Sequence, residues 1–160
     1  MYRVFPSVLP CGALLLLSAL LAADAQTAPG VRFINPPALA QQRGYTHVVG
    51  VLGPGRTVYI SGQLGYDANG RQGRDFHEQA ILTYENLKAA LDSVGAKFEN
   101  LVKLNTYLTD IRTQLPVLRE VRERYVNTAA PPASTTIEIS RLAREGALIE
   151  VEAVALLPTR

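Results

Sequence analysis

The spacing of apolar and polar positions changes period several times along the chain, and each change predicts an element. Tyr45–Val51 and Thr57–Gly62 are short β-branched runs separated by Gly53-Pro54-Gly55, which predicts two strands joined by a turn. Asp67-Ala68-Asn69-Gly70 marks a further turn. From Phe76 the period lengthens. Phe76, Ala80, Tyr84, Leu87, Leu91 and Val94 recur in steps of three and four, the period of a helix with one apolar face. Asp75 is placed to cap its start and Gly95 to end it. Leu101–Leu108 reads as a strand of mixed alternation. A second helix is expected from a Thr113 cap to about Val126, with Pro116 tolerated in its first turn and an apolar stripe of Leu115, Leu118, Val121 and Tyr125. Asn127–Pro132 breaks it.

Two alternating strands close the chain, Thr135–Ser140 and Leu148–Leu157. In the second, Ile149, Val151, Ala153 and Ala155 face one way, while Glu150, Glu152, Val154 and Leu156 face the other. A face that passes from two acids to two apolar residues is not a plain solvent face. It suits a pocket floor or a wall between subunits. Glu152 lies inside this otherwise apolar strand, and a covered carboxylate is costly unless it is paired or used. The order ββ-α-β-α-ββ predicts an α+β domain: a mixed sheet with two helices on one face. The other face then needs cover, and further copies of the chain supply it most economically, so an oligomer is expected.

Residues 1–25 read as a signal peptide. Arg3 gives a positive start, Gly12–Ala23 is an apolar run too short to span a bilayer well, and Ala23-Asp24-Ala25 is a small-x-small cleavage site. The mature chain is therefore expected in the periplasm or secreted, free of the membrane, with a Pro-rich, irregular lead-in loop over 26–44 and one domain over 45–157. The leader carries one base, Arg3, and one acid, Asp24, so the net charge of +2 survives its removal. So slight a charge predicts no strong pull toward nucleic acid or anionic membranes. The single cysteine, Cys11, lies in the leader, so the mature domain is expected to have neither a disulfide nor a thiol nucleophile. His47 and His77 stand far apart and no zinc-type ligand spacing occurs, so no metal is expected. No phosphate-binding glycine loop and no G-x-S-x-G motif is present.

Several short stretches occur in a telling order: Tyr45-Thr46-His47-Val48-Val49, Val58-Tyr59-Ile60-Ser61-Gly62-Gln63, Val102-Lys103-Leu104-Asn105-Thr106-Tyr107-Leu108-Thr109-Asp110, Pro132-Ala133, and Ile149-Glu150-Val151-Glu152-Ala153. Together they resemble the Rid (YjgF-like, reactive intermediate deaminase) family over nearly all of residues 31–157. The resemblance implies a chorismate mutase-like fold, a homotrimer whose sheets form an inner β-barrel, and ligand pockets in the clefts between subunits. It further implies hydrolysis of enamines and imines to carbonyl compounds and ammonia, without a cofactor. Some members carry the name endoribonuclease, but the near-neutral charge gives that reading little support here.

Residue by residue, the resemblance assigns a pocket wall to Tyr45. It assigns Ser61 and Gly62 to a strand-end bend against the ligand, and Glu152 to positioning the attacking water. The family's substrate-binding arginine falls on Ser134, or on Thr135 with a one-residue gap; neither is Arg. A frequent pocket cysteine falls on Thr136 and a pocket asparagine on Leu118. Ser134, Thr135 and Thr136 offer hydroxyls and backbone N–H groups in place of the missing fork. Arg141 matches a residue that family members also carry, and reads as structural. Arg32 and Arg43 are candidates to enter from a neighbouring chain. The face bearing Arg119, Arg122, Glu123 and Arg124 reads as solvated, with local ion pairs. Two functional classes stay open: an exported Rid-like C–N hydrolase of altered specificity, and a non-catalytic homotrimer that binds small molecules in its clefts. The retained Glu152 and Tyr45 favour the first. The lost arginine favours the second, or a changed substrate.

Overall fold

A computed structural model describes residues 30–41 and 44–159. The expected leader and Arg43 lie outside the described residues. The elements are β1 (Gly30–Ile34), β2 (Val48–Leu52), β3 (Arg56–Leu64), α1 (Phe76–Ser93), β4 (Leu101–Leu108), α2 (Ile111–Arg122), β5 (Ala133–Glu138) and β6 (Ile149–Leu157). They form the expected α+β domain with two helices and a mixed sheet.

The lead-in segment departs from expectation. It is not irregular throughout: Val31-Arg32-Phe33-Ile34 pairs antiparallel with Val51-Gly50-Val49-Val48, giving a separate two-stranded sheet. The prolines at 36 and 37 make the segment read as a loop, yet they follow the strand rather than interrupt it. Residues Tyr45–His47, expected in a strand, instead run as a loop with bends at Tyr45 and His47. Thr46 is buried there, its hydroxyl donating to the Pro131 carbonyl at 2.6 Å and its N–H to the Pro132 carbonyl at 3.3 Å.

The main sheet has the order β3-β6-β4-β5, antiparallel except between β4 and β5. That parallel pair is connected through α2, as a crossover requires. Helix α1 starts at Asp75, whose carboxylate accepts the Glu78 N–H at 2.8 Å. It gives way to Gly95 at φ 72°, a left-handed position where glycine is unstrained. Helix α2 starts earlier than expected. Asp110, not Thr113, is its cap, and it accepts both the N–H and the hydroxyl of Thr113. Pro116 consequently lies inside the helix rather than in its first turn. The carbonyl it leaves without a partner, that of Arg112, belongs to an exposed residue and can be hydrated.

The core lies between the helices and one face of the sheet. Tyr84, Leu87 and Leu91 of α1 and Leu118 and Val121 of α2 meet Leu104 and Leu108 of β4 and Ile149 and Val151 of β6. Tyr84 stacks on Tyr125 with ring centroids 5.2 Å apart. Buried Gln79 ties α1 to the start of β6: its oxygen accepts the Leu148 N–H at 2.9 Å and its amide donates to the Gly73 and Gly146 carbonyls. The alternation along β6 follows the expected faces. Ile149, Val151, Ala153 and Ala155 are buried, while Glu150, Glu152 and Val154 are half-buried on the face without helices; Leu156 is covered as well. That open face also carries Tyr59, 80 % exposed, and Ile137, 43 % exposed.

Candidate functional site

Glu152 sits on the central strand pair, directly across from Asn105 in the β4–β6 register. Side chains at paired positions of a sheet share a face, so Lys103, Asn105 and Tyr107 of β4 rise beside Glu150, Glu152 and Val154 of β6. One oxygen of Glu152, Oε1, accepts from Asn105 Nδ2 and from the Tyr107 hydroxyl, each at 2.9 Å. Among the described residues its other oxygen accepts no hydrogen bond. The Asn105 bond first, and the Tyr107 bond second, hold the Glu152 carboxyl below the usual glutamate range, against a smaller opposing effect of burial. The same bond is the main cause that raises the Tyr107 hydroxyl. Glu150 is shifted the other way: burial pushes it up, and the neighbouring Glu152 charge adds to this. Two carboxylates on one strand are thus set apart in acidity by their surroundings.

Strand β3 closes this site. Its pairing with β6 slips by one residue between Ile60 and Gln63, so Ser61 and Gly62 together face Glu152. This is a bulge, and it bends the strand where Ser61 meets the Glu152 hollow. A Cβ on Gly62 would fall on the carboxylate of Glu150. Glycine here gives Glu150 its place. The hollow encloses about 240 Å³ and is lined by Tyr59, Ser61, Lys103, Asn105, Glu152 and Val154. Thr135 shares this face, its hydroxyl accepting from Lys103 Nζ at 2.9 Å.

The other candidate residues lie elsewhere. Ser134 and Thr136 alternate with Thr135 and so point to the helix side of β5. They line a cleft of about 460 Å³ between β5 and α2, with Tyr45 at one wall and Leu115 and Leu118 beneath. Tyr45 reaches this place because the Thr46 bonds fasten its loop to Pro131 and Pro132. Its ring meets that of His47 edge-on at 5.2 Å. The sheet therefore brings Ser61 and Glu152 to one hollow, with Gly62 against Glu150 and Thr135 against Lys103 beside it, and Tyr45 and Ser134 to another.

Asn105, Tyr107 and Lys103 were not singled out as site residues from the sequence. Their signal is there: positions 103, 105 and 107 are polar between buried 104, 106 and 108, the mark of a strand with one working face. Arg122 corrects the expected solvated helix face. Arg124 does pair locally with Glu120, but Arg122 turns to the cleft and donates to the Gly44 carbonyl. Among the described residues, no group of three or more His, Cys, Asp or Glu side chains is placed to share a metal ion. No described helix is long and apolar enough to cross a membrane.

Residues 36–157 match the sequence profile of the family described as Endoribonuclease L-PSP. A RutC family protein of Saccharolobus solfataricus is 36 % identical over 103 residues, covering 63 % of this chain and 79 % of that one. A 2-iminobutanoate/2-iminopropanoate deaminase of Dermatophagoides farinae is 28 % identical over 129 residues, covering 79 % and 96 %. Among solved structures, a Rid-family protein, YyfB, of Yersinia pestis superposes with a TM-score of 0.66 at 30 % identity, covering 78 % of this chain and 97 % of that one. RidA of an Antarctic Psychrobacter gives 0.59 at 31 % identity, covering 78 % and 98 %.

Proposed function

From the premise that the chain belongs to the Endoribonuclease L-PSP family, the Rid/YjgF family, we propose that it hydrolyses an enamine or imine to a carbonyl compound and ammonia. The observation that carries this reading is the state of Glu152. Two donors hold one of its oxygens, its acidity is raised, and its second oxygen has no protein partner among the described residues. Such a carboxylate is ionised at neutral pH and fixed in direction, so it can accept a hydrogen bond from a water and orient it, although its lowered range makes it a weak proton acceptor.

In the proposed step, a water bonded to the free Glu152 oxygen attacks the imine carbon. Its proton passes to the carboxylate while the nitrogen takes a proton from bulk water, giving a tetrahedral amino alcohol. Glu152 then gives its proton to the amino nitrogen, the C–N bond breaks and ammonia leaves. The hydroxyl proton passes to bulk water as the C=O bond forms, replacing the one taken up, and Glu152 is ionised again.

The reading includes a homotrimer in which the open sheet faces form an inner barrel. Two observations support an assembly. Tyr59 and Ile137 leave apolar surface beside the Glu152 hollow. The candidate residues also form two half-sites on opposite sides of one sheet, and a neighbouring copy can set one half against the other. Export of the mature chain belongs to the same reading and rests on the leader sequence alone.

The test is release of ammonia and 2-oxo acid from 2-aminoacrylate, generated in place by a dehydratase, with the mature protein added. Acceleration over the spontaneous rate is expected. Its absence, across small and large 2-imino acids alike, removes the enzyme reading. The remaining reading is then a trimer that binds small molecules without turning them over, which Ser134 in place of an arginine favours.

A further inference from the structure

The open face of β4 presents three polar side chains in a row, and the Glu152 carboxylate uses two of them. Asn105 and Tyr107 donate to Glu152 Oε1. Lys103 does not. Its register partner on β6 is Val154, two residues along the same face from Glu152, and it lines the same hollow of about 240 Å³. Its ammonium donates instead to the Thr135 hydroxyl on β5, at 2.9 Å. Among the described residues it pairs with no carboxylate, and its two further N–H groups have no protein partner. An ion pair with Glu152 would tie up both charges. Here a neutral hydroxyl holds the ammonium, two neutral donors hold the carboxylate, and both groups line one open hollow.

That arrangement matches what imine hydrolysis requires beyond an oriented water. A neutral C=N bond resists attack until its nitrogen gains a proton, because the bonding pair must move onto nitrogen. Water is a poor source of that proton, and an alkylammonium is a far stronger acid than water. We propose that Lys103 is a second catalytic residue, the general acid of this hollow, and that Thr135 is its positioning residue; this rests on the proposed function. As the water held by Glu152 attacks the carbon, one Lys103 N–H bond breaks. Its electron pair stays on Nζ, and the proton joins the imine nitrogen. Bulk water then reprotonates Lys103, so the proton taken from bulk water reaches the nitrogen through this side chain. The one released by the hydroxyl at the end restores the balance. Of the titratable groups that share this face, Tyr107 and Glu152 are bonded to each other, Glu150 lies against Gly62, and Tyr59 is 80 % exposed. Lys103 is the cation among them.

The test follows hydrolysis of the imine formed from 2-aminoacrylate by the mature protein, with the dehydratase in excess so that hydrolysis limits the rate. Lys103→Ala should lower kcat by about 10²- to 10⁴-fold with KM little changed. Lys103→Arg keeps the charge but is far too weak an acid, so it should stay within about tenfold of Lys103→Ala. Both losses should shrink as pH falls, because an imine protonated in solution needs no acid from the protein. Trimethylammonium supplies an acid and cannot itself form an imine; it should raise the Lys103→Ala rate at least about tenfold. Thr135→Val, which frees the ammonium, should lower kcat by less than Lys103→Ala does, with the same dependence on pH. Melting curves establish that each variant folds; should Lys103→Ala not fold, Lys103→Arg against the wild type decides. Wild-type activity in Lys103→Arg, which a structural or purely electrostatic role would give, overturns the proposal, as does a loss that is the same at every pH. Hydrolysis lost in Glu152→Gln but kept in Lys103→Ala sinks this inference and leaves the proposed function standing. A wild type that accelerates nothing sinks both.

Discussion

The two hollows on either side of the sheet are finished to different degrees. On the open face, Glu152 has two donors in place, and its neighbours already set its acidity. In the cleft against α2, Ser134 and Thr136 join a largely apolar lining, and Nε and Nη2 of Arg122 have no hydrogen-bond partner among the described residues. One polar group is held by its neighbours and the other is left without partners. Preorganised polar groups cost nothing to align when charge develops, whereas a buried donor without a partner carries the cost of its lost hydration. The difference teaches that the two faces of one sheet satisfy their polar groups to different degrees.

The comparison breaks most visibly at Glu152. Glu152→Gln keeps the shape but removes the base, and kcat for imine hydrolysis should fall by about 10²- to 10⁴-fold with KM little changed. A KM effect alone would move Glu152 from the reacting side to the binding side. Next in size is Leu104→Ala. Leu104 is fully buried on β4, on the helix side, between Lys103 and Asn105 of the open face. The change should destabilise the fold by about 2–5 kcal/mol in urea unfolding. If both hollows depend on one rigid sheet, activity and ligand binding decline together in this variant; independent decline would separate them.

A finer cut is Tyr107→Phe, which removes one of the two bonds to Glu152 and should cost about 1.5–3 kcal/mol in transition-state or folding free energy. Its pH signature follows from the direction of the shift. The folded-state acidity of Glu152 is enhanced, so the group contributes stability at pH above its unfolded value and loses it as pH falls through the folded value. The acid limb of the rate profile should accordingly lie below the range of an ordinary glutamate, and Tyr107→Phe should move it upward. Glu150 acts with the opposite sign, because its carboxyl is raised: it opposes folding as pH climbs through the glutamate range. The smallest effect on the isolated chain is expected from Tyr59→Glu. An exposed tyrosine on the open face should change monomer stability by no more than about 0.5 kcal/mol. Light scattering should nevertheless show the assembly lost; an intact oligomer would mean that this face stays open to water.

The elements were legible in the sequence wherever one side of them is buried. The stripe from Phe76 to Leu91 and the alternation from Ile149 to Ala155 follow directly from burial. Strand β1 was not legible, because its five residues are mostly exposed and prolines follow them. The start of α2 was hidden by competition between two capping residues: Thr113 resembles a cap, yet it donates to the cap that Asp110 provides. For the site, Glu152 was legible as an acid out of pattern. The separation of Ser134 from Thr135 was not emphasised, although a period of two puts adjacent residues on opposite faces. Arg122 was beyond reach, since its surroundings depend on how the Gly44 loop returns across α2.

The bulge at Ser61 and Gly62 has a consequence for how this strand tolerates changes in length. Before it, β3 pairs Ile60 with Ala153; after it, Gln63 pairs with Val151. Two residues thus share one rung. Deleting either of them would leave a regular ladder with every other rung intact. Deleting a residue anywhere else in β3 would turn the following side chains over, core to solvent and solvent to core. The strand is therefore most forgiving of a lost residue at the point where it borders Glu152.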